Sequence, residues 1–337
     1  MMNLFGMTLT QVQALCDSEG WPRFTARQIC DWLYAKRAAT VDAMTNISLA
    51  RRARLAEVAM VERMEPCNCQ VSADGTKKYL FATTAGSSVE AVFIPEADRA
   101  TLCVSSQAGC KMGCRFCVTG QNGFHGQLTA GEILSQLFTI PEFGQVTNIV
   151  YMGMGEPMDN LEAVLASTEV LTAPWGLGWS PKRITVSTVG LLPQMRLFLQ
   201  RSQCHLAVSL HNPVAAERLS MMPMEKAWPI AATVEALKEY DWSGQRRLSF
   251  EYTMFGGLND DICHADLLAR MLRGLECRVN LIRYHASPGT PYRTSSAQAI
   301  NAFRNRLQAN GVNCTLRASR GEDIKAACGL LAGTSKA

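Results

Sequence analysis

Three thiols fall within eight residues in Cys110-Lys-Met-Gly-Cys114-Arg-Phe-Cys117, and a donor set this dense points to a metal site. Zinc would want a fourth protein ligand, and no second Cys pair or His pair follows at a suitable spacing; Cys204-His205 is distant and opens a predicted strand. An iron-sulfur cube held by only three cysteines keeps one iron open to a ligand, and that open position is what the spacing suggests. Other groups fall at the ends of predicted strands, where ligand contacts concentrate in parallel α/β sheets. Gly153-Met154-Gly155-Glu156-Pro157 follows one of them; its glycines let backbone approach a ligand closely, and the Glu156 carboxylate can accept from an ammonium group. Ser187 and the run Ser209-Leu210-His211 end two more, where each could equally cap a helix.

The elements that must position these groups are legible in outline. Residues 8 to 65 read as helices: Thr8 or Thr10 as a cap, Ile29, Leu33 and Tyr34 at helical spacing between Arg23 and Arg37, and an Ala, Arg and Leu rich stretch from Ser48 to Val61. Between Gly75 and Pro95 the period switches to two around Ala85-Gly86-Ser87-Ser88, which predicts a β-hairpin. From residue 100, β-rich runs alternate with helical stretches: Leu102–Ser106, Asn148–Met152, Arg183–Val189, His205–Leu210, Leu248–Met254 and Arg278–Tyr284. Six such units are too few for a closed eightfold barrel, so the expected fold class is α/β, a partial (βα)6 barrel with a small N-terminal helical domain. The expected organisation is a helical domain at 1–70, a hairpin linker at 71–98, the barrel at 99–330 and a frayed tail at 331–337, with fraying from Leu330 onward.

Composition narrows the class. The chain has 337 residues, 47% hydrophobic and 18% charged, which excludes a disordered chain. No run approaches the roughly 18 consecutive apolar residues of a membrane span, and Met-Met-Asn-Leu-Phe-Gly lacks the pattern of a secretory signal, so a cytoplasmic protein is expected. Its 13 cysteines are an odd number, which in a reducing compartment favours metal ligands or reactive thiols over a disulfide framework. The net charge is only +4, but from Arg270 to Lys325 ten Lys or Arg face three acids, Glu276, Glu322 and Asp323, an excess suited to phosphates.

Cys110, Cys114 and Cys117 in the order CxxxCxxC, with Phe116 before the last, resemble the signature of radical S-adenosylmethionine enzymes. That resemblance implies a [4Fe-4S] cluster on the three thiols, whose open iron takes the methionine moiety of S-adenosylmethionine and whose electron yields a 5'-deoxyadenosyl radical. It implies cofactor contacts at Gly155, Glu156, Ser187, Ser209, Leu210 and His211. Phe24-Thr25-Ala26-Arg27-Gln28-Ile29-Cys30-Asp31-Trp32-Leu33-Tyr34, Ile94-Pro95-Glu96-Ala97-Asp98-Arg99, Phe250-Glu251-Tyr252 and Arg320 to Gly329 further resemble the RlmN/Cfr family of adenine methyltransferases, over residues 20 to 330. The Ile94 to Arg99 stretch is most similar to the branch that methylates adenine carbon 2.

What this second resemblance implies is specific. Cys328, by composition alone as good a candidate for an inert buried thiol, becomes the methyl carrier; Cys103, seven residues before the cluster motif, becomes the thiol that resolves a protein-RNA crosslink by forming a disulfide with it. Two molecules of S-adenosylmethionine serve each turnover, one giving the methyl group and one the radical. Glu90, thirteen residues before Cys103, corresponds to the proton acceptor for the carbon-2 proton; otherwise it reads as a surface carboxylate. His285 stands where the family usually has Asn, and one imidazole nitrogen cannot reproduce an amide's paired donor and acceptor. The implied partners are 23S rRNA and tRNA, with a base out of its stack, and an electron donor such as flavodoxin; a monomer is expected. The alternatives are carbon-8 methylation by the same machinery, and a zinc-stabilised RNA-binding module built on the same three cysteines.

Overall fold

A computed structural model of the protein describes residues 1–286 and 290–333. The N-terminal part is helical because its apolar residues recur once per turn. Strand β1 (Met2–Asn3) leads to α1 (Leu9–Ser18), where Thr8 and Gln11 form a reciprocal capping box. Helix α2 (Arg23–Cys30) buries Thr25, Ala26, Ile29 and Cys30 and runs into a π turn at Asp31–Ala35 that buries Leu33 and Tyr34. After α3 (Leu49–Val58), β2 (Ala59–Met60) returns to pair in parallel with β1. This unit docks on the barrel through close backbone contact: a Cβ on Gly6 would lie 2.2 Å from the Gly131 nitrogen, and the Phe5 ring meets Phe138 edge-on at 5.1 Å. Fully burying a side chain such as Phe5 or Ile29 is worth about 1.5–3 kcal/mol, enough for a few such contacts to hold the unit down.

Residues Pro66–Val71, mostly within the stretch read as the helical domain, form a strand instead, β3, which pairs antiparallel with β4 (Lys77–Ala82). β4 pairs with β5 (Ser88–Pro95), and β5 with β6 (Ala100–Cys103), so the hairpin continues the barrel's own sheet. A short ribbon of β7 (Gln107–Gly109) and β8 (Phe124–Gln127), with α4 (Val118–Gln121) between them, stands apart from it.

The barrel itself follows as β6, α5 (Ala130–Phe138), β9 (Asn148–Tyr151), α6 (Leu161–Thr172), β10 (Ile184–Thr188), α7 (Leu192–Arg201), β11 (His205–Ser209), α8 (Ala215–Met221), α9 (Ile230–Leu237), β12 (Leu248–Met254), α10 (Ile262–Met271), β13 (Arg278–Arg283), α11 (Ala297–Ala309) and β14 (Asn313–Leu316). All six strands expected from the alternation are present, and all run parallel. β14 adds a further parallel strand that the four-residue run Asn-Cys-Thr-Leu does not announce. The ten-stranded sheet runs β14-β13-β12-β11-β10-β9-β6-β5-β4-β3 and does not close, the partial barrel anticipated. Alternation assigns the faces: on β10, Ile184, Val186 and Thr188 are buried, whereas Thr185 and Ser187 are half-buried and line cavities. Among the described residues no helix is long and apolar enough to cross a membrane.

Candidate active site

The three-thiol loop is shaped by glycine. Gly109 sits at φ +72°, and a Cβ there would lie 1.9 Å from the Gly123 carbonyl, so the chain can turn into Cys110 only without a side chain. The Cys110 N–H donates to that carbonyl at 2.8 Å, the Cys117 N–H to the Cys114 carbonyl at 3.1 Å, and the Arg115 N–H to Met221 at 2.9 Å. Cys110, Cys114 and Cys117 line one cavity of about 150 Å³. Burial pushes the Cys110 thiol up to about 12 and holds Cys114 well above its ordinary value, with Cys117 and Cys110 as like charges adding to the effect at Cys114. Three thiolates crowded out of water need a multivalent cation to be stable there, the chemistry an iron-sulfur cluster supplies.

The opposite wall carries the expected cofactor contacts. Gly155, Glu156, Ser187, Ser209, His211, His285 and Cys328 all line the same cavity. Gly155 has φ +100°, and a Cβ would come 2.5 Å from Gln107 Cβ. Gly155→Ala is therefore expected to cost at least about 1–2 kcal/mol from the left-handed backbone alone, and more from the clash, lowering both the melting temperature and ligand affinity in a titration. Glu156 is buried; its Oε1 accepts from Met158 N–H at 3.1 Å and its Oε2 from Val189 N–H at 2.9 Å. Burial raises its pKa to about 7, so a cation entering the cavity would draw it back to the carboxylate. Leu210 is fully buried and absent from the lining; its N–H donates to the Glu251 carbonyl and its own carbonyl accepts from Arg218 Nε. His285 lines the cavity, yet its ring nitrogens face Ser319 Oγ at 2.8 Å and Glu322 at 3.5 Å, tying β13 to the segment that bears Cys328.

Cys328 also lines a second cavity of about 840 Å³ that occupies the barrel interior, together with Cys103. The methyl-carrier candidate thus stands where the two cavities meet. Arg317, just past β14, lies close enough to both thiols to favour their thiolate forms. Its Nε is 3.6 Å from Glu251 Oε2, an oxygen with no hydrogen-bond partner among the described residues. Burial nonetheless raises Cys103 to about 12, and the protein wall around the Cys328 thiol raises it too, Arg317 opposing. All 13 cysteines are free thiols, Cys103 and Cys328 among them. The large cavity is basic, with Arg99, Lys182, Arg247, Arg278, Arg317 and Arg320 in its lining. The C-terminal basic excess is thereby divided: Arg278, Arg317 and Arg320 face the interior, whereas Arg306 pairs with Asp266.

Glu90 lies on β5, buried, and lines neither cavity. Its Oε1 is 3.0 Å from Lys78 Nζ, and its Oε2 accepts from the N–H groups of Ala332 at 2.7 Å and Gly333 at 3.1 Å. The expectation of a frayed end is corrected for these residues. Leu331 is buried, its carbonyl accepts from Thr119 Oγ1 at 2.7 Å, and that of Ala332 from Asn122. Hydrophobic burial and a carboxylate in need of donors hold the chain where polarity alone suggests none would be held; residues 334–337 of the expected tail lie outside the described residues.

A three-cysteine loop after the first parallel strand of an open (βα)6 barrel, facing a glycine turn across one cavity, makes this a radical S-adenosylmethionine enzyme. The Radical SAM superfamily matches residues 104–268, and the ribosomal RNA large subunit methyltransferase N-terminal domain matches residues 2–61. A probable dual-specificity RNA methyltransferase RlmN of Porphyromonas gingivalis is 55% identical over 99% of this chain and 97% of its own length. The dual-specificity RNA methyltransferase RlmN of Syntrophus aciditrophicus is 40% identical over 98% and 97%. A crystal structure of a radical SAM methyltransferase from Sphaerobacter thermophilus superposes with a TM-score of 0.90 at 40% identity, covering 99% of this chain and all of that one. The chain belongs to the RlmN family of radical S-adenosylmethionine RNA methyltransferases. Arg317 and Arg218 carry no motif; only their tertiary contacts, to Glu251 and to the Leu210 carbonyl, place them beside the cavities.

Proposed function

We propose that the protein methylates carbon 2 of an adenine in 23S rRNA, and of an adenine in tRNA, through a methylated Cys328. The observation that carries this reading is the position of Cys328 at the junction of the cluster cavity and the cavity that holds Cys103. Cys110, Cys114 and Cys117 would hold the [4Fe-4S] cluster, and cluster and S-adenosylmethionine together supply a methyl group and a 5'-deoxyadenosyl radical, with two S-adenosylmethionine molecules spent per turnover. A carbon radical is required because adenine carbon 2 is electrophilic and cannot itself displace a sulfonium.

The chain's own groups do the rest. Cys328 gives up its thiol proton and takes the methyl group on sulfur, aided by the Arg317 charge. Once that carbon, having given up one hydrogen atom to the 5'-deoxyadenosyl radical, is joined to adenine carbon 2, Glu90 takes the carbon-2 proton, and the odd electron left on the ring would return to the cluster that supplied it. Cys103 then attacks the Cys328 sulfur as a thiolate, forming the disulfide; the carbon-sulfur bond breaks and its electron pair stays with the carbon, which takes up a proton as the new methyl group. For Glu90 to reach a base, residues 331–333 must lift from it, exchanging two backbone donors for substrate. The basic interior would meet phosphates or a base swung out of its stack. A flavodoxin-type donor, a monomer and a cytoplasmic setting complete the proposal.

Mass spectrometry of rRNA and tRNA nucleosides after anaerobic reaction with labelled S-adenosylmethionine tests it. The expected product is 2-methyladenosine. A labelled 8-methyladenosine would move the reaction to the other branch, and unlabelled RNA beside an iron-loaded protein would refute the substrate.

A further inference from the structure

We propose that Asn259 is a positioning residue for the ligand of the small cavity, acting through His211. This rests on the reading of that cavity as the S-adenosylmethionine site. His211 stands two residues past β11 with φ +56°, a left-handed backbone that a bulky side chain adopts when its surroundings impose it. The imposition is visible. The His211 N–H donates to the Glu251 carbonyl at 3.2 Å, and the His211 carbonyl accepts from Asn259 Nδ2 at 2.6 Å. Asn259 is wholly buried and its carboxamide is fully used: Nδ2 donates also to the Thr253 carbonyl at 2.8 Å, and Oδ1 accepts from Phe255 N–H at 2.7 Å. That set of partners demands an amide, since a carboxylate would face two carbonyl oxygens.

The consequence falls on the imidazole. Thr253 N–H donates to His211 Nδ1 at 2.9 Å, so the proton of the neutral ring resides on Nε2. Burial, with Arg218 as the nearby positive charge, lowers the pKa of His211 to about 3 and keeps the ring neutral. The Phe116 ring meets it edge-on at 5.1 Å. Nε2–H has no hydrogen-bond partner among the described residues, and His211 lines the cavity. The main chain of the turn is meanwhile consumed: Arg218 bonds the Ser209 and Leu210 carbonyls, and the Glu251 carbonyl takes the Leu210 and His211 N–H groups. The turn therefore addresses a ligand through side chains, and His211 offers it one neutral donor that requires an acceptor oxygen or ring nitrogen.

The test measures S-adenosylmethionine binding to the full-length, cluster-loaded protein by anaerobic equilibrium dialysis, with iron content and the reduced-cluster EPR spectrum recorded for each variant. His211→Phe keeps the ring contact with Phe116 and deletes Nε2–H; it is expected to weaken binding about tenfold, the worth of one hydrogen bond. Asn259→Ala is expected to lose a similar factor, and the double variant to bind no more weakly than the weaker single one, with iron content unchanged throughout. Wild-type affinity in His211→Phe overturns the proposal, as does a double variant whose loss is the product of the two single losses. Should Asn259→Ala fail to fold, His211→Phe alone decides whether Nε2–H holds the ligand, and Asn259→Ser, which keeps a donor without adding a charge, replaces it in the cycle. Absence of binding in the wild type would instead overturn the reading of the cavity itself.

Discussion

Cys328→Ala protein loaded with its cluster is expected to transfer no methyl group to RNA, a loss of at least about a thousandfold, because among the described residues no other thiol lines both cavities. Its iron content and S-adenosylmethionine affinity should stay near wild type, since Cys110, Cys114 and Cys117 and the facing wall are untouched. Electrophoresis of protein incubated with methyl-labelled cofactor gives the direct readout: label on the wild-type chain, none on the variant. Methylated RNA from the variant at the wild-type rate would remove Cys328 from the carrier role. Cys328→Ser does not rescue, because an alcohol is a far weaker nucleophile than a thiol at neutral pH.

Cys103→Ala separates the two halves of the reaction. With the carrier intact and the resolving thiol absent, the adduct between Cys328 and RNA is expected to accumulate toward one per protein, visible as a slower band on a denaturing gel, while free methylated RNA falls by about a thousandfold. Clean turnover in this variant would assign resolution to another group. The wild-type pH dependence follows from the same thiol. Burial holds Cys103 near 12, so its thiolate is scarce at neutral pH and increases about tenfold for each unit of rising pH below that value. Adduct decay after a single turnover should accelerate correspondingly between pH 7.5 and 8.5, and a flat profile would mean that thiolate formation does not limit it. Arg317→Met, which removes the positive charge beside both thiols, should raise their pKa values further and slow this decay.

Local signals carried much of this architecture. The eight-residue Cys motif, the Thr8 cap, the period-two run at Val89–Ile94 and the six β-rich segments are properties of neighbouring residues, because side-chain spacing and capping act over one turn or one pleat. β3 and β14 escaped because Pro66–Val71 and Asn313–Leu316 mix polar and apolar residues without a strong β pattern and pair at the sheet's two edges, where a strand exists through its neighbour and not its own pattern. The resemblance supplied the pairing of Cys103 with Cys328, distant in the chain, and the folded barrel places both on one cavity.

The order of residues thus determined which groups could do chemistry and which segments would be strands or helices, since both depend on composition within a short window. Tertiary structure alone decided how those groups are held. It set Glu90 beneath Ala332 and Gly333, turned the His285 nitrogens to Ser319 and Glu322, and placed Arg218 and Asn259 behind the Ser209–His211 turn. Each of these is a hydrogen bond or ion pair whose partner lies several to more than two hundred residues away, and such partners are selected by which donors and acceptors the packed chain leaves to satisfy one another.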